Sequence, residues 1–207
     1  MKETTLLLEM LASRICHDLI SPVGAIHNGI EFLEEMGADA LDDAIGLMQH
    51  SALQSTVKLK TFRLAYGAGG RDPSVSAEDV YNAIREYTAL DGKITQDWDP
   101  HGSITDIDND GFSKILMGTL LLATEVLIKG GTLSVETGDD CLARVIAKAD
   151  DFILRESIIE ALNGETDAND IDPRSVTAYL LGLNARDLDM NVEIEPSDSQ
   201  IAFKITQ

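Results

Sequence analysis

Apolar residues recur at Leu8, Leu11, Ile15, Leu19, Val23, Ile26, Ile30 and Leu33, three or four positions apart, which is the spacing of a helix with one buried stripe. The pattern predicts a helix from about Thr4 to Glu35. It should stop at Met36-Gly37-Ala38, where Gly37 suits the left-handed position that follows a helix. Asp39 is then expected to cap a second helix, which carries Ile45, Met48, Ala52, Ser55, Leu59, Phe62 and Tyr66 at heptad spacing, with Leu41 a half-step before them. A connection this short forces an antiparallel hairpin. A lone hairpin covers only one side of each stripe, so a homodimer packed as a four-helix bundle is the economical arrangement.

The stretch Gly67-Ala68-Gly69-Gly70-Arg71-Asp72-Pro73 ends the hairpin and reads as a pliable connection, dividing the chain into residues 1–70 and 71–207. Beyond it, Ser76 opens a helix reaching Thr88, with Glu78 and Asp79 favourably placed in its first turn. Alternation over Lys93 to Trp98 predicts a strand, and Gly111 to Ile128 a strongly apolar helix closed by Gly130-Gly131. Thr132–Glu136 and Ala143–Lys148 read as hairpin strands around Thr137-Gly138-Asp139-Asp140. Helices over Phe152–Asn163 and Pro173–Asp187 follow, the second with Pro173 in its first turn. Strands Asn191–Glu195 and Gln200–Ile205 turn at Pro196-Ser197-Asp198. The fold class is α+β: a helical hairpin followed by an α/β sandwich with helices on one side of a small, mostly antiparallel sheet.

Charge narrows the partners. With 36 acidic and 16 basic residues among 207, the net charge of -20 argues against broad contact with nucleic acid or an anionic membrane and points to proteins or to small ligands in a local pocket. Cys16 and Cys141 lie far apart with no metal-ligand spacing, which fits reduced thiols in the cytoplasm. The run Leu6-Leu7-Leu8 gives way at once to Glu9 and Arg14, too short and too polar for a signal peptide or a membrane span. A soluble, cytoplasmic protein is expected.

The candidate chemistry sits on the first helix. At about 100° per residue, His17 lies roughly 200° round from Ile15, on a polar face with Ser13, Ser21, Asn28 and Glu31. Four residues after Asp18 stands Pro22, which has no amide to offer the Asp18 carbonyl and crowds it, so a bend is expected one turn beyond the histidine. The run His17-Asp18-Leu19-Ile20-Ser21-Pro22 resembles the H-box of two-component histidine kinases, His-acid-Leu-x-x-Pro. The longer string from Arg14 to Ile26 is closer still to the ChpT-type histidine phosphotransferases of bacterial phosphorelays. That resemblance implies that His17 accepts a phosphoryl group, with Asp18 biasing the ring tautomer.

The order of elements after the hairpin resembles the ATP-binding (Bergerat) domain of histidine kinases. In those kinases a helix leading to Gly-Gly carries a magnesium-ligating asparagine, in a pattern like Asn-Leu-Leu-x-Asn-Ala-x-Lys. Here the segment Gly118 to Glu125 places Leu122 at the asparagine and Glu125 at the lysine. Leucine offers a hard cation no oxygen, and a glutamate beside a triphosphate repels it. The glycine-containing Asp-x-Gly-x-Gly motif is missing from Ile146 to Ile153, and so is a glycine-rich lid, of which Gly182-Leu183 matches only the end. A degenerate domain without ATP is expected, and the resemblance covers essentially the whole chain.

The resemblance further implies as partners the receiver domain of a hybrid histidine kinase upstream and cell-cycle response regulators downstream, with magnesium supplied by the receiver and no cofactor of the chain's own. Because the hairpin turns near Gly37, Lys58 should stand opposite His17, and Arg14, Ser21, Lys58, Lys60 and Arg63 are the expected docking residues for an acidic receiver surface. Two other readings stay open: an ATP-dependent histidine kinase with a divergent nucleotide site, and a non-catalytic dimeric scaffold. His27, His50 and His101 lack the H-box sequel and read as surface or structural residues.

Overall fold

The computed structural model describes residues 2–102, 104, 111–138, 140–167 and 169–207, with side chains from Thr4 onward. Helix α1 spans Lys2–Met36 and runs unbroken through Pro22, whose ring is buried. Gly37 takes φ +65°, as expected after a helix end. The connection differs from expectation: Gly37–Ala40 form a 3₁₀ turn, so Asp39 lies inside that turn and Ala40, without a side-chain bond, precedes α2 (Leu41–Ala65). Asp42 and Asp43 in the first turn of α2 still complement its dipole.

The heptad positions split between two faces. Phe62 is buried and Met48 and Ser55 are half-buried, whereas Ile45, Ala52 and Leu59, spaced by seven, are exposed. On α1 the stripe divides in the same way, with Ile15, Leu19 and Ile26 half-buried and Leu8, Val23 and Ile30 exposed. Each helix therefore covers one apolar edge with its partner in the hairpin and leaves a second edge open.

The joint after the hairpin is packed rather than pliable. A 3₁₀ turn at Ala68–Arg71 buries Gly70 so tightly that a β-carbon there would stand 2.1 Å from the Leu64 carbonyl oxygen. Lys114, itself 4% exposed, donates its ammonium to the Gly67 carbonyl at 2.6 Å. Phe62, Leu64 and Ala65 join the same apolar core as the C-terminal elements, so the two parts of the chain share one interior at this end.

Ser76 caps α3 (Ala77–Thr88) in a full capping box with Asp79. The expected strand over Lys93–Trp98 is reduced to β1 (Ile94–Gln96), and the apolar helix appears as α4 (Phe112–Val126). Strands β2 (Gly131–Gly138) and β3 (Cys141–Lys148) form the hairpin, of whose turn Asp139 lies outside the described residues. Helices α5 (Glu156–Asn163) and α6 (Val176–Asp187) start later than the sequence pattern suggests. Phe152 and Leu154 are half-buried while Ile153 is exposed, an alternation that belongs to extended chain. Pro173 precedes α6 instead of entering it, because the Asp172 carboxylate accepts the amides of Arg174 and Ser175 and folds residues 172–175 into a turn. Strands β4 (Asn191–Pro196) and β5 (Gln200–Thr206) complete the fold.

The five strands run in the order β1-β2-β3-β5-β4. Only β1 and β2 are parallel; the other pairs are antiparallel. Leu133, Val135, Val145, Ala147, Ile201 and Phe203 line one face of this sheet and meet α4, whose own residues are buried almost all round because α2, α3 and α6 cover its other side. The architecture is the α+β one expected, with the helical hairpin packed onto the helical side of an α/β sandwich.

Candidate functional site

His17 projects from α1 with 88% of its side chain exposed. It opens into a cavity of about 610 Å³ between α1 and the C-terminal part, lined by Ser13, Asp18, Ile128, Arg155, Ile158 and Arg174 among others. Its Nδ1 lies 3.4 Å from the Asp18 carboxylate, a long contact that favours the tautomer with the proton on Nδ1 and the lone pair on Nε2. Among the described residues no three His, Cys, Asp or Glu side chains cluster as metal ligands would.

The helix around the histidine is repaired from outside. Since Pro22 cannot donate to the Asp18 carbonyl, that oxygen accepts the Lys58 ammonium instead, at 2.9 Å from α2. Lys58 does stand opposite the His17 turn, as expected, but its charge is spent on the backbone of α1. Arg14, the second expected docking cation, is likewise turned inward. Its Nη2 meets the Glu125 carboxylate at 2.5 Å, its Nη1 donates to the Pro173 carbonyl at 3.0 Å, and only 19% of the side chain is exposed. The Thr177 hydroxyl donates to the same Glu125 oxygen at 2.9 Å, so the Tyr66 hydroxyl, 3.1 Å from Thr177, donates to it in turn. Burial holds the Glu125 carboxyl above its ordinary value despite Arg14 and Thr177, and the same burial raises Tyr66 to about 12.

Lys60 and Arg63 fall elsewhere. At about 100° per residue, a helix that aims Lys58 at α1 turns Lys60 and Arg63 well away from it. Lys60 pairs with Glu86 at 3.3 Å, and Lys60 and Arg63 line a separate cavity of about 480 Å³ between α2 and α3 with Asp72, Asp79 and Glu86. Ser21 is exposed one turn beyond His17. Besides the inward-turned Arg14, the cations that border the His17 cavity are Arg155, at the N-cap of α5, and Arg174, in the turn before α6. Neither Arg155 nor Arg174 is marked by the sequence pattern, because each sits in a connection that only the tertiary fold brings to α1. His27, His50 and His101 are exposed, and they keep company with Glu31, Gln54 and Glu78 respectively.

The segment aligned with the kinase nucleotide site does not fit a magnesium–triphosphate. Leu122 is fully buried in the core, and the Glu125 carboxylate is already committed to Arg14 and Thr177.

Comparison with known proteins places these observations in a wider set. The family profile of the histidine phosphotransferase C-terminal domain matches residues 77–200, from the first residue of α3 to the first of β5. The chain is 34% identical over 198 residues to the protein phosphotransferase ChpT of Brucella abortus (strain 2308), covering 94% of this chain and 92% of that protein. A solved structure of a bacterial phosphotransferase superposes with a TM-score of 0.75 at 31% identity, covering 96% of this chain and 95% of that one.

Proposed function

Because the chain belongs to the ChpT-type histidine phosphotransferases, and so works as a histidine phosphotransferase in a phosphorelay, we propose that His17 is the residue that carries the phosphoryl group. The observation that carries this reading is the position of His17: exposed, inside the H-box run, and facing a cavity bordered by Arg14, Arg155 and Arg174 in a chain of net charge -20.

The Nε2 lone pair attacks the phosphorus of an aspartyl phosphate on the donor receiver domain. The bond from phosphorus to the aspartate oxygen breaks, the carboxylate leaves with its electron pair, and the phosphoryl group becomes bonded to nitrogen. Asp18 holds the Nδ1 proton throughout, so that no net proton transfer is needed. In the second half the aspartate of another receiver attacks phosphorus, and the P–N electron pair returns to Nε2. Magnesium, which offsets charge on the phosphoryl oxygens, comes with the receiver and not from this chain. Arg155 and Arg174 supply the cationic border against which the receiver and its phosphoryl group arrive, while Ser21 extends the docking face along α1. The donor is the receiver domain of a hybrid histidine kinase and the acceptors are response regulators.

The chain does not phosphorylate itself from ATP. Supporting this are the burial of Leu122 where a ligand asparagine is needed and the commitment of Glu125 to an internal ion pair. The working form is a cytoplasmic homodimer in which the open edges of α1 and α2, with Val23, Ile30, Ile45 and Leu59, meet their counterparts in a four-helix bundle. No helix among the described residues is long and apolar enough to cross a membrane.

Incubation with labelled ATP, and separately with a phosphorylated receiver domain, tests the reading. Label arriving only from the receiver is the expected result. Label from ATP alone would make the chain a kinase, and label from neither would remove the transfer role.

A further inference from the structure

One helical turn before His17, a chain of polar groups crosses from α1 into the C-terminal part: Arg14 of α1, Glu125 of α4, Thr177 of α6 and Tyr66 at the end of α2. A buried ion pair contributes little more stability than apolar side chains of the same size, since desolvation offsets most of the attraction. What it adds is direction. The Arg14 fork reaches two groups at once, the Glu125 carboxylate and the Pro173 carbonyl, and both must sit where the guanidinium points.

The second of these contacts bears on the cavity. Pro173 belongs to the turn that Asp172 closes by accepting the amides of Arg174 and Ser175, so a bond from Arg14 to the Pro173 carbonyl ties that turn to α1. Arg174, the next residue, lines the His17 cavity. Arg14 and His17 are three residues apart on one helix and lie on neighbouring faces. Leu7 and Met10 also touch Ile171 and Val176 below, but such apolar contact is non-directional and fixes no register between the two elements.

We propose that Glu125, acting through Arg14, is a positioning residue for phosphoryl transfer: the pair holds α1 against the 172–175 turn so that His17 and Arg174 face the same cavity. The side chain that stands where kinases of this fold keep a nucleotide-site lysine has become part of an internal latch. This rests on the reading of His17 as the phosphoryl carrier.

The test replaces the whole pair by apolar residues, R14M with E125L, which leaves no buried charge unpaired, and compares the full-length variant with wild type. Amides of residues 174–179 should exchange hydrogen faster in the variant, while its circular dichroism stays unchanged. Transfer from a phosphorylated receiver should slow on the order of 10- to 100-fold, in kcat because His17 is misplaced and in KM because Arg174 no longer meets the receiver beside it. In the wild-type background R174A should slow transfer, and in the R14M/E125L background it should add almost nothing, because Arg174 has already lost its place. Unchanged exchange over 174–179, or an R174A effect of equal size in both backgrounds, would overturn the proposal. An H17A control separates the two ideas: phosphoryl acceptance by H17A would remove the premise about His17, and the exchange measurement would still decide whether the pair ties the turn to α1. Should the double variant not fold, R14K, which keeps the charge but cannot span both acceptors, should show the same faster exchange and the same loss of coupling to R174A. Wild-type behaviour of R14K would overturn the proposal equally.

Discussion

Replacing Lys58 by methionine tests how the His17 turn is held in a helix that contains a proline. Methionine keeps most of the lysine stem and its packing and deletes only the ammonium. The Asp18 carbonyl then loses its ammonium partner, and the amide that would bond it in a regular helix belongs to position 22, where proline has none. Hydrogen bonds from charged groups contribute about 1.5–3 kcal/mol, and a carbonyl left unpaired loses a comparable amount when water is kept out. Lys58 is half-buried and borders an open cavity, so water reaches the vacated site and the expected cost falls to about 1–2 kcal/mol. For a chain of this size that lowers the melting temperature by about 2–8 °C. The decisive arm is a cycle with Pro22→Ala, which returns an amide to position 22. In that background the Asp18 carbonyl regains its helical donor, and K58M should cost less by about 1 kcal/mol in urea unfolding. An equal cost of K58M with and without Pro22 would refute the idea that the lysine substitutes for the missing amide.

Reversing Arg155 and Arg174 to glutamate should slow transfer at least about tenfold through weaker association and flatten its salt dependence, whereas K60E with R63E, in the other cavity, should have a smaller effect; stopped-flow transfer at two ionic strengths would show a reversed order if the docking face is misplaced. Burial raises Tyr66 from its ordinary 10.0 to about 12, so the neutral phenol contributes stability that is complete below pH 10 and is lost as pH rises through 12, about 2–3 kcal/mol in all. Urea unfolding between pH 9 and about 12 should therefore show a steeper decline in wild type than in Y66F, and parallel declines would contradict the burial of that hydroxyl. Light scattering at micromolar concentration should give twice the mass of one chain, falling to one chain when Val23 and Leu59 are both changed to glutamate; a monomeric wild type would remove the bundle.

The elements carried by strong local signals were legible from the residues alone. The H-box could be read because its histidine, acid and proline lie within six positions, and Pro22 already pointed to an unpaired Asp18 carbonyl. That Lys58 lies across from it also followed from the hairpin turn, but its use as a surrogate donor did not, since a lysine on a helix looks the same in sequence whether it faces solvent or a neighbour's backbone. Asp39 looked like a cap, yet the left-handed Gly37 leads into a 3₁₀ turn that swallows it. Helices α5 and α6 began late because extended packing of Phe152 and Leu154, and the side-chain turn at Asp172, outweighed helical spacing. Glu125 could be seen as wrong for a nucleotide site, while its pairing with Arg14, 111 positions away, was invisible. Arg155 and Arg174 were missed for the same reason: loop residues carry no periodicity, and only the closed fold brings them to His17.

The most direct test of the account is the location of the phosphoryl group. The chain is phosphorylated by a phosphorylated receiver domain, digested at alkaline pH, where a phosphoramidate survives, and sequenced by tandem mass spectrometry. Modification is expected on a ring nitrogen of His17 and nowhere in His17→Ala, a variant expected to keep the circular dichroism and the mass in solution of wild type. Modification of another residue, or phosphoryl acceptance retained in His17→Ala, would contradict it.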